Sequence, residues 1–102
     1  MRAAGFALGL CVLGFATPAL ADYPFCRCER VDAEVRCRAG FSDGESAEGA
    51  ALEIISEDGR TLSRFVFGPG STISFRPPDV PFYVLFDAGP GLTVEVERAD
   101  IR

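Results

Sequence analysis

The stretch Ala51-Leu52-Glu53-Ile54-Ile55-Ser56-Glu57-Asp58-Gly59-Arg60-Thr61-Leu62-Ser63-Arg64-Phe65-Val66-Phe67 decides the fold class. Two runs of strand length flank Glu57-Asp58-Gly59-Arg60, and Asp-Gly supplies the positive φ that a tight hairpin turn requires. Ala51 to Ser56 and Thr61 to Phe67 are therefore expected to pair antiparallel.

The same pattern extends in both directions. Downstream, Gly68-Pro69-Gly70 makes a turn, and Thr72 to Phe75 and Phe82 to Phe86 flank a loop holding Pro77, Pro78 and Pro81, none of which has the N–H a central strand needs. Ala88-Gly89-Pro90-Gly91 closes a last hairpin. After it Leu92, Val94 and Val96 point one way while Thr93, Glu95 and Glu97 point the other. Upstream, Phe25 to Arg30 and Glu34 to Ala39 read as two strands around a turn at Val31, Asp32 and Ala33. The polar loop from Ser42 to Gly49 holds no regular element. About seven short strands at this spacing predict a single small antiparallel β-sandwich. Phe65, Phe67, Phe75, Phe82 and Phe86 belong to its core rather than to a ligand-stacking site, because large rings dominate the burial a small sandwich needs.

The first 21 residues carry a different signal. Arg2, the apolar run from Ala3 to Phe15, the break at Thr17-Pro18 and the small residues of Ala19-Leu20-Ala21 match a secretory leader cleaved after Ala21. Glycines at 5, 9 and 14 and Pro18 argue against a retained membrane anchor. Cys11 leaves with the leader. The domain organisation expected is a signal peptide over 1–21 and a β-sandwich over 22–102, in the periplasm or secreted, with no transmembrane segment in the mature chain.

Charge and composition exclude several activities. The chain has no His, and all ten basic residues are Arg, so Lys-dependent covalent chemistry is unavailable and a Cys or Ser nucleophile lacks its usual base. Losing the leader removes Arg2 and leaves nine Arg against fifteen acids, a net charge of −6. Nucleic acid and anionic lipid need a basic face and are not the expected partners. An enzyme is not expected.

Cys26, Cys28 and Cys37 carry the functional argument. If the first hairpin turns between Asp32 and Ala33, positions whose numbers sum to 65 face one another, which sets Cys28 opposite Cys37 and Glu29 opposite Arg36, with Cys26 on the cysteines' face. Two outcomes stay open. In the first, Cys28 and Cys37 form a disulfide, routine in small exported domains, and Cys26 remains free; a slip in register would instead bring Cys26 opposite Cys37 or align neither pair. In the second, all three thiols stay reduced and converge on a soft ion, Cu(I) fitting a three-sulfur set better than the closed four-ligand zinc site does. Nearby Arg27, Arg30, Arg36 and Arg38 favour thiolates, and are equally well explained as the solvated faces and ion-pair partners of Glu29 and Glu34.

Gly40-Phe41-Ser42-Asp43-Gly44, Asp58-Gly59-Arg60-Thr61-Leu62 and Phe82-Tyr83-Val84-Leu85-Phe86-Asp87-Ala88-Gly89-Pro90-Gly91 together resemble small periplasmic accessory proteins of nickel and cobalt uptake systems. Those proteins are similar to carboxypeptidase-regulatory-like or transthyretin-like β-sandwiches. The resemblance implies an exported, non-enzymatic module working beside a membrane metal permease or another envelope protein. It does not bring the family's ligands with it: the mature chain opens Asp22-Tyr23-Pro24, and Leu92 follows Gly91, where family members carry His. A metal held here would be a softer ion bound through sulfur.

Overall fold

The computed structural model describes residues 22–102, so the expected leader lies outside the described residues. Seven strands run in chain order: β1 (Pro24–Val31), β2 (Glu34–Phe41), β3 (Ala51–Ser56), β4 (Thr61–Val66), β5 (Thr72–Phe75), β6 (Phe82–Asp87) and β7 (Thr93–Glu97). A 3-10 turn over Arg98–Asp100 follows β7. The strands form two antiparallel sheets, one ordered β1-β2-β5 and the other β4-β3-β6-β7. The all-β sandwich expected from the sequence is the architecture observed. No helix among the described residues is long and apolar enough to cross a membrane.

Each sheet turns one face inward because its apolar residues alternate with polar ones. Val35, Cys37 and Ala39 of β2 and Phe75 of β5 supply one inner face. Leu52 and Ile54 of β3, Phe82, Val84 and Phe86 of β6, and Val96 of β7 supply the other. Phe67, Ala47 and Ile101 close the gaps from outside the strands. Phe86 anchors the middle, meeting Phe67 edge to face with centroids 5.6 Å apart and Phe41 at 6.3 Å. Phe75 meets Phe82 in the same way and stacks against Phe65, tying β5 to β4 along one side of the sandwich. The aromatic set is core, as its size and spacing required, with Phe65 half-buried at the rim.

The turns follow from local chemistry. Gly59 takes φ +94°, and Gly59 N–H donates to the Ser56 carbonyl oxygen while Ser56 N–H donates to that of Arg60. Ser56 is buried and satisfied: its hydroxyl accepts from Arg60 N–H and donates to the Asp58 carboxylate. That hydrogen bond, helped by the Arg60 charge, holds the Asp58 carboxyl below its ordinary value. The first hairpin turns tightly on Asp32-Ala33 alone, with Asp32 in the left-handed region that short polar residues tolerate. β1 therefore runs on through Val31.

Three expectations shift at the edges. Leu92 was expected to share the inward face of β7, but its carbonyl oxygen accepts from Ala88 N–H in the hairpin turn, β7 begins at Thr93, and the Leu92 side chain is exposed. Phe67 lies just past the end of β4 yet keeps the ladder, donating its N–H to Ala50 O. The 42–49 loop has no strand, but Ser46 bridges Gly40 and Ala47 is buried, its N–H donating to Ser71 Oγ.

Candidate functional site

The hairpin of β1 and β2 pairs in the register whose residue numbers sum to 65: Cys28 faces Cys37, Glu29 faces Arg36, and Cys26 faces Ala39. Arg30 N–H turns away from β2 to reach Arg102 O, and Ala39 N–H turns away from β1 to reach Ser71 O. Residues of this phase thus form the narrow, non-hydrogen-bonded pairs of an antiparallel ladder, where facing side chains come closest. Cys28 and Cys37 sit in one such pair, with Cα atoms 4.0 Å apart, and their sulfurs form a disulfide. Both are buried on the inner face of the three-stranded sheet.

Cys26 lies two residues before Cys28 on the same face, half-buried and unbridged. Its sulfur and those of Cys28 and Cys37 all lie within 4.8 Å of one another. Among the described residues this is the one group of three or more Cys, Asp or Glu side chains whose ligand atoms converge. No protein-family model, curated protein or solved structure matches this chain. The sulfur geometry itself therefore carries the chemical argument.

The cluster has two chemical states. In the oxidised state seen here, two of the three sulfurs are consumed by the bridge and one neutral thiol stands beside it. Burial pushes the Cys26 thiol up to about 12, so at neutral pH only on the order of one molecule in 10⁵ carries the thiolate that could attack the neighbouring disulfide. The arrangement is thus a stable staple with a protected thiol. Only the reduced chain offers the three-thiolate set expected for a soft ion, and loading it would require all three protons to leave.

Three of the four arginines stand apart from this chemistry, while Arg30 shares the cysteines' phase two residues beyond Cys28 and is exposed. Arg27, Arg36 and Arg38 alternate with the cysteines along their strands and project from the outer face of the sheet, opposite to the sulfurs. The four arginines are exposed, as expected of a solvated face, but the expected pairing with Glu29 and Glu34 is not met: the one ion pair among the described residues is Arg64 to Glu53, at 3.4 Å across β4 and β3. Cross-strand opposition places side chains near each other without bringing long, solvated chains into contact. The sum of 65 that predicted the cysteine pair also predicts Arg27 opposite Arg38, a like-charge juxtaposition legible in the sequence once the register is drawn.

A buried thiol gives a pH signature. The folded Cys26 value lies near 12 against an ordinary 9.0, so the folded state holds a proton that the unfolded state has lost between those limits. The stability contributed by the neutral thiol is complete below pH 9 and disappears as pH rises through 12. Chemical denaturation from pH 8 to pH 11 should show a progressive loss of stability for the native chain. Cys26→Ala should lose that pH dependence, and identical profiles would refute a buried thiol.

Proposed function

We propose that this chain is an exported, non-enzymatic accessory module that acts by binding another envelope protein, with the Cys28–Cys37 bridge as its structural staple. The buried bridge carries the reading. Disulfides persist in oxidising compartments, and a domain of this size gains from a covalent closure that larger cores do not need. The absence of His and Lys from the sequence and the protonated state of Cys26 argue against nucleophilic or redox catalysis. Edge strands β4 and β5 and the Pro77 to Pro81 loop supply surface for a partner. The resemblance to accessory proteins of nickel and cobalt uptake makes a membrane metal permease the partner to test first.

A second reading is favoured by one observation, the convergence of three sulfurs within 4.8 Å. In it, reduced Cys26, Cys28 and Cys37 hold a soft transition metal such as Cu(I), and the module handles the metal itself.

Intact mass and metal content of the protein isolated from the cell envelope, with and without thiol alkylation, separate the two. The stapled module predicts a two-hydrogen mass deficit, one alkylated cysteine after unfolding, and no bound metal. Three alkylated cysteines with stoichiometric metal would replace it with the soft-metal reading.

A further inference from the structure

We infer that the outer face of the three-stranded sheet is a docking surface for an acidic peptide segment of a partner protein, gripped by Arg27, Arg36 and Arg38. The inference deepens the binding-module reading and rests on it, since it names the chemistry of the partner.

Arg27 and Arg38 are directly opposed in the β1–β2 register, and Arg36 lies two residues from Arg38 on the same face. All three are exposed, and none forms an ion pair with a described residue. Even Glu29, opposite Arg36, leaves it unpaired. Like charges directly opposite one another cost stability in a sheet, so this fold concentrates three unneutralised guanidiniums on one face although the whole chain has a net charge of −5. The Arg27 guanidinium lies 5.6 Å from the centroid of the Phe25 ring. Phe25 in turn covers Gly40, where an added Cβ would come within 3.1 Å of the ring. Phe25 and the three arginines line a cleft of about 470 Å³ together with Cys28 and Glu29, so three guanidiniums outnumber one carboxylate there.

Charge complementarity identifies the occupant. Guanidinium forks match carboxylates bidentately, and Arg36 and Arg38 repeat along β2 at about 7 Å, the spacing of alternate side chains in an extended peptide. A chain of Glu or Asp at every second position presents its carboxylates in that rhythm, and the Phe25 ring offers an apolar rest for the residues between. Extended polyanions are disfavoured for a physical reason. Screening confines the arginine field to about 8 Å, so a membrane or a duplex lying across the molecule meets the acidic remainder of its surface, whereas a short segment meets only the cleft.

The test uses purified, oxidised protein and a fluorescent peptide of about ten residues alternating Glu and Ser, followed by anisotropy. The expected result is saturable binding that weakens as salt rises. A peptide with Gln in place of Glu should bind at least about tenfold more weakly, and the double variant Arg27→Gln, Arg38→Gln should lose at least about tenfold in affinity for the Glu peptide. That variant removes a repulsive pair, so its thermal midpoint should equal or exceed that of the native chain, which separates lost binding from lost folding. Equal binding of the two peptides, full affinity in the variant, or stronger binding to anionic phospholipid vesicles or duplex DNA would each overturn the inference. Its failure is distinct from failure of the module reading: three free thiols with bound metal would remove the staple and leave this titration unaffected, while a silent titration with the bridge intact removes only the arginine face.

Discussion

Phe86→Ala should cost about 3–5 kcal/mol, the range for deleting a buried aromatic ring when the surrounding core cannot fully collapse. Phe86 has no exposure to solvent. It occupies the second-last position of β6, a central strand, where Leu52 faces it from β3 and Val94 from β7. Its ring is met at two edges, by Phe67 at 5.6 Å and Phe41 at 6.3 Å. Phe67 lies beyond β4 and Phe41 ends β2, so neither is likewise braced on both sides by neighbouring strands, and the void left by the ring joins both sheets. A domain of this length holds on the order of 4–12 kcal/mol in total, so the loss removes much of the margin. Thermal unfolding should show the midpoint lowered by about 12 °C or more. Phe86→Leu keeps most of the volume and should recover over half of the loss. A cost below about 1 kcal/mol for the alanine variant would mean that the two sheets do not close over this ring.

That both sheets meet on these rings was legible in the sequence, because period-two alternation in Phe82-Tyr83-Val84-Leu85-Phe86 marks which residues face inward whatever sheet they join. The cysteine register was legible for a similar reason: a two-residue turn fixes every cross-strand partner by arithmetic, and Cys28 met Cys37 as that arithmetic required. Partners distant in sequence were not legible. β5 returns to pair with β2 rather than with its neighbour β4, and nothing in Thr72-Ile73-Ser74-Phe75 names that partner. Ala47 shows the same limit, for it is buried in the core from within a polar loop, and its N–H is accepted by Ser71, 24 residues on. At the candidate site the sequence placed the three sulfurs on one face but left their redox state open. Spacing determines which atoms can approach, whereas the choice between a bridge and three thiols is set by the redox poise around the chain, which residue spacing does not encode.

Removing the bridge is the second large perturbation, and it also weighs the staple against the soft-metal site. The loop it closes spans a sequence separation of 9, for which chain entropy gives about 2.7 kcal/mol, within the 2–5 kcal/mol found when small exported domains lose a native disulfide. The informative variant is the double substitution Cys28→Ala, Cys37→Ala. Either single change would leave two thiols whose sulfurs lie within 4.8 Å in the native arrangement, free to form a replacement bridge with Cys26. In urea the double variant should be less stable by the amount stated, with a correspondingly lower midpoint, and native protein kept reduced should match it, since both lack the same closure. Adding Cu(I) to the two samples then separates the roles. A staple predicts that neither regains stability. A three-sulfur site predicts recovery in the reduced native chain alone, because binding that favours the folded state raises its stability in proportion to the logarithm of ligand concentration. Cys26→Ala should abolish any such recovery while leaving the oxidised protein's bridge and its 2.7 kcal/mol contribution, roughly, in place, so the third sulfur would be shown to serve the metal and not the fold.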